Sequence, residues 1–206
     1  MKIGSVKENL EIEKRIAITP DILKKYMSLG IEVSLSENYG SHLGYEDDHY
    51  KELGANIVKD EKEIIKNSDI ILQLGLLSDN KISFTKDNQI LIGVFDPYNN
   101  KDKIKDIIKK KINIFSLELL PRITRAQSMD ILSSQANLAG YKAVIESFSN
   151  FEKAIPMMMT AAGTVPAAKV LVVGAGVAGL QAIATAKRMG AIVFATDVRM
   201  ASKEQV

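Results

Sequence analysis

The residues best suited to chemistry lie near the C-terminal end, where GAGVAG occupies positions 174–179. Gly174 would permit a tight turn, Gly176 would let the backbone approach a phosphate closely, and Gly179 would allow a helix to pack against a strand. The helix that opens at this turn would offer unpaired N–H groups and a positive dipole end. The spacing therefore predicts a site for the pyrophosphate of a dinucleotide.

The surroundings of these glycines strengthen that prediction. An apolar strand precedes them at 170–173, a helical pattern runs to about residue 189, and a second apolar strand at 191–196 ends in Asp197. A carboxylate at this place accepts hydrogen bonds from the adenosine ribose and repels a 2′-phosphate. The pattern therefore favours NAD(H) over NADP(H), although the nearby Arg199 would weaken that repulsion. The alternative is a strand–helix–strand turn that binds no nucleotide.

A loop rich in arginine, hydroxyl and amide side chains precedes a long helical pattern. Its bland interpretation is a capped helix start, with Thr124 or Ser128 as N-cap and Asp130 favoured by the helix dipole. Its functional interpretation is a loop that contacts nicotinamide, in which Arg122 and Gln127 donate to the ligand and Asp130 orients Arg122. Spacing alone leaves both interpretations open.

The elements that must position these residues follow from the hydrophobic pattern. Short apolar runs predict strands at 2–6, 31–35, 69–74, 89–94 and 112–115. Between them, helices are predicted at 21–29, 47–53, 61–67 and 101–110, the first with Thr19 as N-cap and Pro20 at its first position. This alternation is typical of a parallel sheet with helices on both faces. A further helix is predicted over 127–149, continuing or restarting toward Met159.

The predicted fold is α/β, with two Rossmann-like, doubly wound parallel-sheet domains joined by a long helix. We expect an N-terminal domain at 1–125, a linking helix region at 126–160 and the start of a nucleotide-binding domain at 161–206. One strand–helix–strand unit is too small to form such a domain alone, so we expect the second domain to be incomplete.

Composition excludes several classes of function. With 27 basic and 25 acidic residues, the net charge of +2 gives no reason to expect a nucleic-acid partner. The absence of cysteine excludes disulfides, thiolate nucleophiles and zinc–thiolate sites. Two histidines, His42 and His49, are too few to suggest a metal site. The longest apolar runs fall short of the roughly 18 residues that span a bilayer, so we expect a soluble chain without direct membrane insertion.

Three segments carry a resemblance to a known family. The sequences PRITRAQSMDILSSQANLAGY at 121–141, PMMMTAAGTVP at 156–166 and the turn region 174–199 closely resemble the α subunit of proton-translocating NAD(P) transhydrogenases. The resemblance covers essentially the whole chain. The segment EKRIAITP at 13–20 is shared more widely, including with alanine dehydrogenases.

The resemblance implies an NAD(H)-binding component that is usually a homodimer. It would meet an NADP(H)-binding component, with hydride passing directly between the two nicotinamides, while a membrane-spanning component couples transfer to proton movement. The chain would then be a peripheral component on the cytoplasmic face of the inner, or another energy-coupling, membrane.

The resemblance also assigns site residues. The nicotinamide end would be held by four catalytic-loop residues: Arg122, Gln127, Asp130 and Ser133. The adenosine and pyrophosphate end would be held by the turn and the residues around its carboxylate: Gly174, Gly176, Val177, Gly179, Asp197, Val198 and Arg199.

Alanine dehydrogenase is the close rival. That family uses an arginine, a lysine and a histidine near its keto-acid substrate, and only the arginine has a counterpart here, Arg15. Gln73 stands where the lysine would be, and the segment 93–97 offers no histidine, which leaves the role of Asp96 open. Gln73 also departs from the lysine often seen in transhydrogenases. Without acid–base groups, amino-acid oxidation is disfavoured.

A third possibility is an inactive fragment. Family members continue well past the second strand of the nucleotide domain, and the sequence ends at Val206. We therefore expect a C-terminally truncated chain.

Overall fold

The computed structural model describes residues 1–206, apart from the side chain of Gln205. The chain divides into two compact units, Met1–Met129 and Asp130–Val206. The domain boundaries expected from the sequence, after residues 125 and 160, stay predictions. Each unit is described here by itself.

The first unit is built on a six-stranded parallel sheet. Its strands are β1 Lys2–Ser5, β2 Glu32–Ser36, β3 Asn56–Val58, β4 Ile70–Gln73, β5 Ile90–Gly93 and β6 Asn113–Ser116. They lie in the order β3-β2-β1-β4-β5-β6, and Ile3 of β1 pairs with Val33 on one side and Ile70 on the other. The strand order reverses between β1 and β4, the place where doubly wound sheets open a crevice.

Five helices cover this sheet: α1 Pro20–Ser28, α2 Asp47–Glu52, α3 Glu61–Asn67, α4 Asp79–Ile82 and α5 Lys101–Ile108. The prediction that Thr19 caps α1 is confirmed, since its Oγ1 accepts a hydrogen bond from the N–H of Ile22 at 3.4 Å. Short 3₁₀ turns lie at Ser41–Leu43, Leu117–Leu119 and Thr124–Met129. The sequence pattern did not predict β3 or α4.

Two buried apolar clusters form the core of this unit. One includes Ile64 and Ile65 of α3 with Ile71 and Leu91 of the sheet, and the other surrounds Leu23 of α1. Alternate residues of a strand point to opposite faces of its sheet. The two clusters therefore occupy the two faces, as expected of a doubly wound sheet.

The second unit begins with α6, Ile131–Ser149. Next come an antiparallel hairpin, β7 Met158–Thr160 and β8 Gly163–Val165, and then the parallel pair β9 Lys169–Val173 and β10 Ile192–Thr196. The helix α7, Val177–Arg188, joins β9 to β10, and a 3₁₀ turn covers Met200–Gln205. Neither α6 nor any other helix of the described residues combines the length and apolar character needed to cross a membrane.

The predicted start and continuation of the long helix are wrong. A 3₁₀ turn occupies Thr124–Met129, and α6 begins only after Asp130, whose carboxylate accepts a hydrogen bond from the N–H of Ser133. Asp130 is therefore the N-cap, and neither Thr124 nor Ser128 has that role. The helix ends at Ser149 because Asn150 caps it, donating from Nδ2 to the carbonyl of Glu146. The residues around Met159 form the hairpin.

Candidate functional site

The glycine turn follows β9 directly and has a shape that depends on glycine. Gly174 lies at a φ of +98°, a conformation that residues with a Cβ rarely adopt, and its N–H donates to the carbonyl of Thr196 at 2.7 Å. A Cβ at Gly179 would collide with the carbonyl oxygen of Gly174. These two positions fold the start of α7 tightly against the end of β9.

The remaining glycine, Gly176, leaves the turn open. A Cβ built there meets only Nη2 of Arg199, at 4.0 Å. Gly176 is the N-cap of α7, and no described side chain caps this helix end. The first N–H groups of a 12-residue helix are therefore left to face a ligand, together with the positive end of its dipole. Val177 begins the helix and is partly exposed.

The long helix α6 holds this turn in place. A Cβ at Gly140 would collide with the carbonyl group of Ala178, so α6 packs directly on the first turn of α7. A hydrogen bond of 3.1 Å from Nδ2 of Asn137 to Oε1 of Gln181 adds a polar contact between the same two helices. The turn is thus supported by a helix from outside its own strand–helix–strand unit.

Asp197 reaches back from the end of β10 to the turn. Its Oδ2 accepts a hydrogen bond from the N–H of Ala175 at 2.7 Å. Arg199 donates to the same carboxylate from its backbone N–H, its Nε and its Nη2. Hydrogen bonds from the Arg199 side chain, and then from the backbone of Arg199 and Ala175, hold the pKa of Asp197 well below its usual range. Val198, between the two, is fully exposed.

The residues predicted for the nicotinamide end fall in two places. Asp130 and Ser133 lie together at the head of α6, where Oδ2 of Asp130 accepts a hydrogen bond from the Ser133 hydroxyl at 2.7 Å. Arg122 and Gln127 are exposed and belong to the first unit. The predicted pairing of Arg122 with Asp130 therefore stays a prediction.

The crevice between β1 and β4 in the first unit is bridged by Gln73. Its Oε1 accepts a hydrogen bond from the N–H of Val6 at 3.2 Å, and its Nε2 donates to the carbonyl of Val6 at 2.8 Å. The side chain is only 3% exposed. The amide thus extends the pairing of β1 and β4 at the place where a doubly wound sheet usually receives a ligand.

Glu8 lies at the same place and was missed in the sequence. Its carboxylate accepts hydrogen bonds from the N–H groups of Leu74, at 2.6 Å, and Gly75, at 3.2 Å. Burial raises the pKa of Glu8, although these hydrogen bonds oppose the shift. No local signal marks this carboxylate, because its partners are 66 and 67 residues away in the chain.

The other two residues raised by the alanine dehydrogenase alternative also have partners. Glu13 accepts two hydrogen bonds from Arg15, at 2.8 Å from Nε and 2.6 Å from Nη2. Asp96 has a φ of +45°, and its Oδ2 accepts a hydrogen bond from Nδ2 of Asn99 at 2.7 Å. No metal-binding group of three or more histidine, aspartate or glutamate side chains occurs among the described residues.

Two family models match the chain. The model for the N-terminal domain of alanine dehydrogenase/PNT matches residues 4–139, and the model for its C-terminal domain matches residues 143–206. The chain belongs to the alanine dehydrogenase/PNT family. The predicted resemblance therefore falls within a family that contains both of the activities weighed above.

Individual relatives agree with the transhydrogenase side of this family. The chain is 47% identical to the first portion of a divided NAD(P) transhydrogenase subunit alpha from Rickettsia prowazekii, and 46% identical to the protein of the same name from Rhodospirillum rubrum. Each match covers 100% of this chain and 55% of the relative. The chain thus spans about half the length of these relatives. An alanine dehydrogenase from Methanococcus maripaludis is 27% identical, over 96% of this chain and 53% of that protein.

Solved structures support the same fold. A transhydrogenase from Sinorhizobium meliloti matches with a TM-score of 0.94 and 48% identity, covering 100% of this chain and 61% of that one. An L-alanine dehydrogenase matches with a TM-score of 0.82 at 20% identity, covering 99% of this chain and 56% of that one, a likeness of fold alone. The predicted α/β, Rossmann-like fold and the resemblance to transhydrogenase α subunits are confirmed.

Proposed function

We propose that this chain binds NAD(H) and acts as the NAD(H)-binding component of a transhydrogenase. In this role it would exchange hydride between its own NAD(H) and NADP(H) held on a partner component. A membrane-spanning component would couple the exchange to proton movement, with this chain as a peripheral, homodimeric component. The names of the relatives support the assignment to a transhydrogenase assembly.

The observation that carries the proposal is the turn between β9 and α7 with the carboxylate beside it. Gly174 and Gly179 bring an uncapped helix end to the mouth of the turn, and Gly176 leaves the space before it open. A pyrophosphate suits such a site because it is anionic and accepts hydrogen bonds from N–H groups. Asp197 lies beside the turn, where the adenosine ribose would bind.

The nicotinamide end is assigned to the loop and the head of α6. Asp130 and Ser133 are fixed to each other there, and α6 packs on the nucleotide helix through Gly140. The polar groups of Arg122 and Gln127 would complete this end by donating hydrogen bonds to the nicotinamide. Hydride transfer is chemistry of the cofactors, and the protein supplies position and orientation.

The structure of the first unit favours this role over amino-acid oxidation. An amide such as that of Gln73 does not exchange protons as lysine does, and both of its polar atoms are bonded to Val6. The segment 93–97 contains no histidine. Oxidation of alanine needs groups that accept and donate protons, whereas exchange of hydride between two nicotinamides does not.

Two measurements test the proposal. NADH is titrated against the purified protein by its fluorescence, and hydride exchange from NADH to an NADP⁺ analogue is then followed with an added NADP(H)-binding component. We expect NADH binding, hydride exchange, and no NADH oxidation by pyruvate with ammonia. Binding without exchange would reject the transhydrogenase role, and oxidation by pyruvate with ammonia would favour an alanine dehydrogenase. Failure of a folded protein to bind NADH would reject both and favour an inactive fragment.

A further inference from the structure

The carboxylate of Asp197 is fully engaged before any nucleotide arrives. Its Oδ1 accepts from the backbone N–H of Arg199 at 2.8 Å and from Nε of Arg199 at 3.0 Å. Its Oδ2 accepts from the N–H of Ala175 at 2.7 Å and from Nη2 of Arg199 at 3.1 Å. A carboxylate has about four lone-pair positions, so these four bonds fill them. A ribose hydroxyl therefore has no acceptor position open to it.

The four bonds differ in how easily they are given up. Two come from backbone N–H groups that the turn holds in place. The other two come from the guanidinium of Arg199, whose side chain is 61% exposed and is exchanged readily with solvent. Release of the guanidinium frees one acceptor position on each carboxylate oxygen. Two neighbouring hydroxyls, as on the adenosine ribose, match those two positions.

We propose that the guanidinium of Arg199 is an internal competitor for the adenosine ribose of NAD(H). On binding, the two ribose hydroxyls take the acceptor positions on Asp197 that Nε and Nη2 of Arg199 occupy in the empty site. This inference rests on the proposed NAD(H) site, because it concerns how that site exchanges one set of donors for another.

The same displacement bears on selectivity. The released guanidinium stays close to the ribose edge, since its own backbone N–H remains bonded to Asp197. A cation there partly offsets the repulsion between Asp197 and a 2′-phosphate. Arg199 therefore weakens NAD(H) binding and at the same time narrows the preference for NAD(H) over NADP(H).

The test compares the wild-type protein with Arg199→Ala and Arg199→Gln in titrations with NADH and NADPH. We expect both variants to bind NADH about two- to fivefold more tightly, the range that corresponds to an exposed ion pair. Their affinity for NADPH should fall, which widens the selectivity ratio. Arg188→Ala is the matched control, because this exposed arginine lies at the opposite end of α7 and should change neither affinity.

A ligand without the two hydroxyls sharpens the test. For 2′,3′-dideoxyadenosine diphosphate, the gain from removing Arg199 should disappear, because nothing competes for Asp197. Unchanged or weaker NADH binding by folded Arg199 variants would overturn the inference, as would an equal gain for the dideoxy ligand. Neither result touches the proposed function, which fails only if the folded wild-type protein does not bind NADH; this inference then fails with it.

Discussion

Replacing Gly176 with alanine separates the nucleotide site from the fold that carries it. In the structure the added Cβ meets only Nη2 of Arg199, at 4.0 Å, and Gly176 has a φ of −80°, which alanine adopts without strain. Alanine lowers the entropy of the unfolded chain, which stabilises by about 0.4–1 kcal/mol. Alanine is also a poorer N-cap than glycine, which costs about 0.5–1 kcal/mol.

These two effects offset each other, so the free energy of unfolding should change by less than about 0.5 kcal/mol. Thermal unfolding followed by circular dichroism should shift by less than about 2 °C. NADH binding should respond very differently. The methyl group fills the space through which a pyrophosphate would approach the N–H groups of α7, and each lost hydrogen bond to a charged group is worth about 1.5–3 kcal/mol.

The expected result is therefore an affinity for NADH about ten- to hundredfold weaker in a protein of unchanged stability. Gly179→Ala is the contrasting variant, because its Cβ collides with the backbone of Gly174 and should lower the free energy of unfolding by about 1–3 kcal/mol. If Gly176→Ala kept full affinity for NADH with an unchanged melting curve, the pyrophosphate would not approach this face of the turn. The assignment of the phosphate site would then be refuted.

Three further predictions concern other residues. Arg122→Ala should slow hydride transfer about 10- to 100-fold, measured in single turnovers, while NADH affinity changes much less, because misplacing a reacting group costs rate more than binding; equal losses in both would indicate a plain binding role. Asp130→Ala should lower the free energy of unfolding by about 0.5–2 kcal/mol through loss of the α6 cap, in denaturant titrations where Asp130→Asn serves as the capping control. Equal stability of the two variants would contradict this capping role. Because burial raises the pKa of Glu8, its carboxyl group contributes stability that is present at acidic pH and lost as pH rises through the folded-state pKa. Glu8→Gln should therefore show a smaller fall in melting temperature between pH 4 and pH 7, and an unaltered pH profile would show that Glu8 does not titrate as described.

Local signals in the sequence predicted the elements that depend on local interactions. The helix at Glu61–Asn67 was predicted with the bounds that it has, since Asp60 caps it and the pattern of buried positions is helical. The strand Asn56–Val58 was missed, because it is three residues long and is defined by its backbone pairing with β2. Such pairing leaves little trace in the hydrophobicity of a short strand.

The long helix shows where periodicity misleads. Apolar residues at helical spacing on both sides of Asp130 gave no sign that the backbone changes direction there. The hairpin is closed at Gly163, which lies at a φ of +128° and whose carbonyl accepts a hydrogen bond from the hydroxyl of Thr160. A glycine in that conformation ends any helical continuation, but its sequence alone does not reveal its φ.

The candidate site was predictable in proportion to how contiguous it is. The glycine turn lies within one strand–helix–strand unit, so its residues could be found by spacing. The exchange of hydrogen bonds between Gln73 and Val6 joins residues 67 apart, and it exists because β1 lies beside β4 in the sheet. The four bonds to Asp197 likewise depend on how the end of β10 meets the turn.

The close contact between Gly140 and Ala178 makes α6 a ruler with a fixed phase. Along a helix each residue advances about 1.5 Å and turns about 100°. From Asp130 to Gly140 the helix therefore sets a separation of about 15 Å between its polar head and the contact that anchors it. One residue inserted between them would rotate Asp130 and Ser133 to another side of the helix axis. The length of this stretch can thus change only by nearly whole helical turns if both ends are to keep facing the same ligand.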